Sequence, residues 1–128
     1  MGTEVGVAGS TTRRVLVVDD DARVRHALRA LLDVSDDLCP CGEAVTGPEA
    51  LAVDEELDAD VVLLDLLLPS AEEGLEALAA LVARGRAVVA LSICAALATT
   101  ALEAGAVAFV EKGITPDHLV DTLRRARR

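Results

Sequence analysis

Aromatic side chains are almost absent from this sequence. Phe109 is the only aromatic residue among 128, and tryptophan and tyrosine are missing altogether. Because a surface that stacks nucleic-acid bases needs several aromatic rings, that class of binding protein is excluded. The 52% hydrophobic content must therefore form an aliphatic core of leucine, valine and alanine, which favours an α/β fold over a β-sandwich.

Basic residues and long apolar runs are also scarce. Twelve lysines and arginines face 22 aspartates and glutamates, for a net charge of −10. Such a surface repels phosphate backbones, so we expect no direct binding to nucleic acid. The charge-free stretch from Ala87 to Leu102 has 16 residues and falls short of the roughly 20 apolar residues that span a bilayer. We therefore expect no membrane segment.

Length and cysteine content set further bounds. A chain of 128 residues suits one domain with one core and leaves no room for a separate output domain. Residues 1–12 are small and polar and are predicted to be a flexible leader, with the domain at 13–128. The odd number of cysteines, three, and the lack of an export signal in the leader predict free thiols in a reducing cytoplasm.

Short apolar runs alternate with helical patterns along the chain. Runs rich in valine and leucine are typical of parallel strands that are covered on both faces. They lie at Val15–Val18, Val61–Leu64, Ala87–Leu91 and Val107–Val110. A weaker run, Leu38–Val45, contains Pro40, which lacks an N–H and predicts an edge strand. Five βα units with right-handed crossovers predict a doubly wound α/β sheet, in which ligands bind at the carboxyl ends of the strands.

The fourth of the five helical segments has an unusual composition. Between Ala95 and Ala104 the only charged residue is Glu103, so the segment lacks the polar outer face of a surface helix. An exposed apolar face of this kind predicts a protein–protein interface, such as a homodimer. The apolar residues that we expect to contribute are Ile93, Leu97 and Leu102.

Polar side chains follow the apolar runs at their carboxyl ends. Asp19 and Asp20 follow the run that ends at Val18, and Asp65 follows the run that ends at Leu64. Ser92 follows the run that ends at Leu91, and Lys112 lies two residues after Val110. Two carboxylates about 4 Å apart repel by about 4 kcal/mol at an effective dielectric of 20, so this group needs a counter-ion. Oxygen ligands without histidine or cysteine suit Mg²⁺, or Mn²⁺ in its place, rather than Zn²⁺. With the lysine as a second cation, the set predicts that Asp65 is a nucleophile that attacks phosphorus.

These residues carry a family resemblance. The motifs are VLVVDDD at 15–21, VVLLD at 61–65 followed by Pro69 and Gly74, ALS at 90–92, AGA at 104–106 and FVEK at 109–112. Together they resemble the receiver domain of two-component response regulators over Arg13 to Arg127. The resemblance implies a flavodoxin-like sheet of five parallel strands in the order 2-1-3-4-5 with five helices. Two loops depart from the family's usual spacing: four residues separate Pro69 from Gly74, and Ser92 lies 27 residues after Asp65.

The resemblance also implies a phosphoacceptor and a metal site. Asp65 matches the aspartate that accepts the phosphoryl group, and Asp20 matches the direct Mg²⁺ ligand. Asp19 matches the acid that holds metal-bound water, and the backbone carbonyl of Leu67 matches the remaining protein ligand. The donor of the phosphoryl group would be a histidine kinase.

The remaining matches concern the response to phosphorylation. Ser92 matches the hydroxyl residue that turns toward the phosphoryl group, Lys112 the lysine that pairs with it, and Phe109 the aromatic switch residue. The face formed by the fourth helix, fifth strand and fifth helix would report the change. A DNA-binding output domain of the kind found in some relatives would lie outside this chain.

Two other functions compete with this signalling hypothesis. The first is an atypical receiver that binds a partner through the fourth helix without phosphorylation. The second is a phosphatase or mutase with an aspartate nucleophile, an enzyme class that usually has a second acid two residues after the nucleophile. Leu67 occupies that place, so the sequence disfavours the enzyme, and we expect a signalling domain rather than an enzyme.

Overall fold

A single parallel sheet forms the centre of the molecule. The computed structural model describes residues 12–128, so the predicted leader, apart from Thr12, lies outside the described residues. The five strands run in the order β2-β1-β3-β4-β5, and all neighbours are parallel, which confirms the predicted fold. Their bounds are β1 Arg13–Val18, β2 Leu38–Ala44, β3 Val61–Asp65, β4 Ala87–Ser92 and β5 Ala108–Glu111.

Five α-helices in the described part of the chain cover the sheet on both faces. They are α1 Ala22–Asp33, α2 Gly47–Leu57, α3 Ala71–Ala83, α4 Ala98–Glu103 and α5 Pro116–Arg125. Alternate residues of each strand face opposite layers. Leu16, Val62 and Leu64 pack against α2, α3 and α4, whereas Val17 and Leu63 pack against α1 and α5.

Strand β2 lies at the edge of the sheet, as its proline predicted. The register with β1 shifts between Val15, which pairs with Pro40, and Leu16, which pairs with Gly42. Cys41 is therefore the extra residue of a bulge. A bulge on an edge strand tolerates the missing N–H of proline, because a ladder hydrogen bond is not lost from the sheet interior.

The segment around α4 differs from the prediction. Its first turn, Ala95–Leu97, is a 3₁₀ helix, and the α-helix covers only Ala98–Glu103. Cys94 at the start offers no side-chain cap, and an uncapped first turn can satisfy its backbone with tighter i→i+3 bonds. Gly105 follows the helix and its cap, Ala104. The Gly105 φ of +108° suits glycine and allows the N–H groups of Gly105 and Ala106 to donate to the carbonyls of Leu102 and Ala101.

The apolar surface near α4 is also smaller than predicted. Leu97 packs against the core, and the threonines and glutamate of α4 are exposed, so a polar outer face exists after all. The large apolar side chains that stay exposed there are Ile93, at 68%, and Leu102, at 49%. None of the helices in residues 12–128 is long and apolar enough to cross a membrane.

Candidate functional site

Three aspartates meet where the central strands end. Asp19 directly follows β1, and Asp65 ends the neighbouring strand β3. Carboxylate oxygens of Asp19, Asp20 and Asp65 all lie within 4.8 Å of one another. Asp19 and Asp65 are buried, while Asp20 is exposed. The parallel topology thus brings together acids that are far apart in sequence, at the sheet edge where such folds bind ligands.

Lys112 lies between two of these acids. Its Nζ atom donates to Asp19 Oδ2 at 3.1 Å and to Asp65 Oδ2 at 3.2 Å. The lysine directly follows β5, and its backbone N–H donates to the carbonyl of Ser92. One cation therefore serves two buried carboxylates, and the third carboxylate, Asp20, faces solvent.

The electrostatics of the site follow from this shared cation. Burial raises the pKa of Asp65, and the negative charge of Asp19 raises it further, against the opposing effects of the Leu67 N–H and Lys112. Burial lowers the pKa of Lys112, but its hydrogen bond to Asp19 and the charge of Asp65 outweigh burial and leave that pKa raised. The lysine is thus held in its charged form, whereas the ionised form of Asp65 is disfavoured.

Backbone hydrogen bonds fix the loops that carry the acids. Asp19 Oδ1 accepts from the N–H of Asp21 at 2.9 Å, and Asp65 Oδ1 accepts from the N–H of Leu67 at 3.1 Å. Asp21 in turn caps α1 by accepting from the N–H of Arg23, as its position before the helix predicts. Each loop therefore turns immediately after its buried aspartate.

Gly74 allows α3 to approach the loop that follows Asp65. A Cβ atom at this position would lie 1.7 Å from the carbonyl oxygen of Leu66, far inside van der Waals contact. Only glycine permits this packing, because any side chain would push the helix away from the backbone next to the phosphoacceptor candidate. The requirement holds although the spacing from Pro69 departs from the family's usual pattern.

Ser92 and Phe109 occupy the neighbouring strands β4 and β5. Ser92 is fully buried, and its Oγ atom accepts from the N–H of Cys94 at 3.0 Å. Phe109 pairs with Ala90 across the two strands and is half-buried against the core layer of α2, α3 and α4. Strand register places Ser92 near the acids. Asp65 pairs with Leu91 on β4, and Ser92 is the next residue after Leu91.

The donor set fits a hard divalent cation. The three clustered groups are carboxylates, and among the described residues no histidine or cysteine joins them. Three carboxylates and one lysine leave a negative excess that a cation offsets. Mg²⁺ and Mn²⁺ prefer such oxygen ligands, whereas Zn²⁺ prefers nitrogen and sulfur.

One residue that contacts the site was not predicted from the sequence. Arg25 on α1 donates to the backbone carbonyl of Asp19 at 2.8 Å and to Glu43 of β2 at 2.9 Å. Helix α1 also carries Arg23 and Arg29, and nothing in the spacing distinguishes the three arginines. The identity of the arginine that reaches the site depends on how α1 rotates over the sheet.

The family model for the response regulator receiver domain matches residues 15–124. The chain belongs to this family. The match covers four strands completely and β1 from Val15 onward, so the receiver domain accounts for both the sheet order and the acidic site at its edge.

Relatives agree with this assignment. The receiver is 34% identical over 116 residues to the nitrate/nitrite response regulator protein NarL of Escherichia coli strain K12, covering 88% of the chain and 53% of that protein. It is 44% identical over 103 residues to a protein-glutamate methylesterase/protein-glutamine glutaminase of Myxococcus xanthus, covering 77% of the chain and 30% of that protein. The chain thus spans about half or less of these relatives.

Solved structures give the same result. A two-component response regulator of the LuxR family from Aurantimonas sp. SI85-9A1 superposes with a TM-score of 0.82 at 30% identity, covering 91% of this chain and 88% of that one. Sequence and fold therefore both identify the chain as a response regulator receiver domain of two-component systems.

Proposed function

We propose that this receiver accepts a phosphoryl group on Asp65 and thereby switches a protein-interaction face. The observation that carries the proposal is Lys112 Nζ, 3.1 Å from Asp19 and 3.2 Å from Asp65, inside a cluster of three carboxylates. A buried carboxylate with one shared lysine and a second acid beside it needs a further cation. A bound divalent metal ion would meet that requirement, and it would also allow an anionic phosphoryl donor to approach the carboxylate.

The reaction is a transfer between two phosphoryl carriers. A carboxylate oxygen of Asp65 forms a bond to phosphorus while the bond from phosphorus to the donor breaks, and the donor keeps the electron pair. The donor would be the phosphohistidine of a histidine kinase or, in the test tube, acetyl phosphate. The product is an aspartyl phosphate. The chain acts only on itself in this reaction and is a signalling domain rather than an enzyme.

Residues around Asp65 supply the charge compensation. Asp19, Asp20, Asp65 and the carbonyl of Leu67 would hold Mg²⁺, or Mn²⁺ in its place. When bound, the cation neutralises charge on the phosphoryl oxygens. Lys112 supplies the second positive charge and pairs with the phosphoryl group once Asp65 is modified.

Ser92 and Phe109 would pass the change to the surface. The Ser92 hydroxyl, which accepts from Cys94 in the unmodified protein, can instead donate to a phosphoryl oxygen. Phe109 packs inward on the same strand pair, so a movement of Ser92 changes the space available to its ring. The face of α4, β5 and α5 then differs between the two states.

The partners follow from two surfaces. A groove of about 630 Å³ between α1 and α5 opens beside Asp21 and Lys112 and is lined by aliphatic side chains such as Leu28 and Leu31, which supports docking of a kinase next to Asp65. Exposed Ile93 and Leu102 support a homodimer through the α4 face. Light scattering before and after phosphorylation tests the dimer: an unchanged monomer at high concentration contradicts it.

The output would lie in a partner or in a further domain. One relative is named a nitrate/nitrite response regulator and another a methylesterase, so relatives with matching receivers have different outputs. A DNA-binding output is our proposal for this receiver, and the cytoplasm, where histidine kinases present their phosphohistidine, is the proposed location.

Phosphorylation of the receiver by acetyl phosphate with Mg²⁺ tests the central proposal. We expect intact-mass spectrometry to show one phosphoryl group that is stable in acid and lost in base, because an acyl phosphate hydrolyses readily in base. Asp65→Asn should abolish the adduct, since an amide is not a nucleophile. Asp36→Asn is the matched control, because Asp36 is an exposed aspartate in the loop before β2, at the opposite end of the sheet from the site, and this variant should be modified normally.

The opposite result points to the alternative. If folded wild-type protein stays unmodified with Mg²⁺, Asp65 is not a phosphoacceptor. The interaction module that works without phosphorylation then replaces this proposal, and its partner surface would be the exposed apolar residues near α4.

A further inference from the structure

Arg25 links three parts of the fold through one guanidinium group. Its Nε atom donates to Glu43 Oε1 at 2.9 Å, and its Nη1 atom donates to the carbonyl of Asp19 at 2.8 Å. The Arg25 side chain is only 16% exposed. Helix α1, edge strand β2 and the acidic loop are therefore joined at this point.

The contact acts on the backbone between the two adjacent acids. The N–H of Asp19 donates to Ala44 in β2 at 3.1 Å, and the carbonyl of Asp19 accepts from Arg25. Both ends of this residue are thus fixed, and its carbonyl belongs to the peptide group that leads into Asp20. Because Asp20 is exposed, the direction of its carboxylate depends on this backbone rather than on packing around its side chain.

Glu43 holds the arginine in its orientation. Its second carboxylate oxygen, Oε2, accepts from Arg29, so two arginines of α1 flank one glutamate. The hydrogen bonds to Arg29 and Arg25 outweigh burial and lower the pKa of Glu43, which keeps this acid ionised at neutral pH. A planar guanidinium with two donors in a fixed fork can meet Glu43 and the Asp19 carbonyl together, which an ammonium group on a flexible stem does less well.

We propose that Arg25, oriented by Glu43, is a positioning residue for the divalent cation held by Asp19, Asp20 and Asp65. The inference rests on the proposed function, because it concerns the same cation site. Some residues do not bind a metal themselves but hold its ligands in place through hydrogen bonds. Removing such a residue commonly weakens metal affinity by about 10-fold to 100-fold.

Charge alone predicts the opposite effect. Arg25 is a cation near a cation site, so its loss should strengthen metal binding if repulsion were its only influence. Positioning predicts that its loss weakens binding. The sign of the change in metal affinity therefore separates the two explanations.

Replacing Arg25 by methionine tests the inference. Methionine is unbranched and preserves much of the apolar stem of arginine. We expect Arg25→Met to weaken Mn²⁺ binding about 10-fold or more, measured by the loss of the free Mn²⁺ signal in electron paramagnetic resonance. Calorimetry with Mg²⁺ gives the second measurement, since the protein has no tryptophan or tyrosine to report binding by fluorescence.

Arg29→Met is the matched control. Arg29 contacts the same glutamate from the same helix, and its loss removes an ion pair of similar kind without touching the Asp19 carbonyl. We expect a change in Mn²⁺ affinity of only about twofold. Arg25→Lys keeps the charge and loses the fork, so it should weaken binding in the same direction as methionine.

The reaction with acetyl phosphate supplies a readout that general damage would not give. Arg25→Met should need more Mg²⁺ for half-maximal phosphorylation but reach the wild-type rate at saturating Mg²⁺, because the nucleophile is intact. A metal affinity equal to or tighter than that of Arg29→Met overturns the inference. If Arg25→Met does not fold, the metal affinities of Arg25→Lys and Glu43→Gln are compared with that of Arg29→Met instead, and the inference requires both to be weaker. Wild-type protein that binds no Mg²⁺ instead refutes the proposed function itself.

Discussion

The two ends of the sheet bury aspartates in different ways. At the end where the strands start, Asp54 of α2 is completely buried and lies 2.9 Å from Arg86 Nε and 3.4 Å from Arg84 Nη1. At the other end, Asp19 and Asp65 are equally buried but share the single amine of Lys112. One buried acid thus has two cations, and two buried acids have one.

This difference separates a structural ion pair from the proposed phosphoacceptor site. The buried carboxylate of Asp54 has two arginines of its own, and these ion pairs tie α2 to the start of β4. A cluster with more carboxylates than cations keeps an unmet demand for positive charge, which is the property that a metal-dependent phosphoacceptor requires. Burial of an acid alone does not distinguish these two kinds of site. The number of cationic partners that the acid has does distinguish them.

The largest expected effect is at Asp54, where the strands start. Arg86→Met should destabilise the protein by about 3 kcal/mol, because it leaves the buried Asp54 with one weaker partner. Chemical denaturation with and without Mg²⁺ measures this, and we expect the same loss in both conditions. Asp58→Asn is the control, since it removes only the exposed partner of Arg86 and should cost less than about 0.5 kcal/mol. Recovery of the Arg86→Met loss by Mg²⁺ would contradict the division between the two ends.

A smaller effect is expected for Lys112→Met. The substitution leaves two buried carboxylates without their shared cation, and we expect a loss of about 2 kcal/mol in metal-free buffer. The loss should be smaller than for Arg86→Met because Asp19 and Asp65 each keep a backbone N–H donor. Mg²⁺ should restore much of this loss, since it replaces the missing positive charge. Unfolding followed by circular dichroism with and without Mg²⁺ gives the answer, and equal losses in both buffers would argue against a cation site here.

Asp65→Asn should have the smallest effect on stability and the opposite sign. The pKa of Asp65 is raised in the folded state by burial, so its contribution to stability is present below the unfolded-state pKa and is lost as pH rises through the folded-state pKa. At neutral pH the ionised group therefore opposes folding. We expect Asp65→Asn to stabilise the metal-free protein by about 1 kcal/mol, or a rise in Tm of about 4 °C.

The pH dependence checks the reason for that gain. The advantage of Asp65→Asn over wild type should shrink as pH falls and Asp65 becomes protonated, and Mg²⁺ should stabilise the wild type more than the variant. Thermal unfolding at neutral and mildly acidic pH measures both. A gain that is constant across pH would mean that the raised pKa of Asp65 is not its cause.

The sheet and the acidic site were predictable because they follow from local patterns. Apolar runs identified the strands, and parallel strands bring the residues at their carboxyl ends together, so Asp19, Asp65 and Lys112 could be placed from sequence. The proline in β2 likewise indicated an edge. The order of the strands came from the family resemblance rather than from these patterns, and none of these inferences needed knowledge of side-chain orientation.

The ion pairs and the short helix needed the structure. Arg25 meets Glu43, and Arg86 meets Asp54, through the rotation of helices over the sheet, and a chain with 12 basic and 22 acidic residues offers many other pairings. Helix α4 was overestimated because its alanines favour helix by propensity, whereas the structure has a 3₁₀ turn at Ala95–Leu97 that begins after Cys94, a residue without a side-chain cap. Helix propensity is a property of each residue by itself, whereas the start of a helix also depends on the residue that precedes it.

The single ring at Phe109 makes this receiver convenient for spectroscopy. Fluorinated phenylalanine supplied during expression enters the chain at one position only, since the sequence has no other phenylalanine. A ¹⁹F spectrum of this chain then contains one resonance, which arises from a half-buried ring on β5 that packs against the core layer of α2, α3 and α4. Titration of that resonance with a phosphoryl mimic would follow the proposed exchange between the two states directly, without any engineered probe.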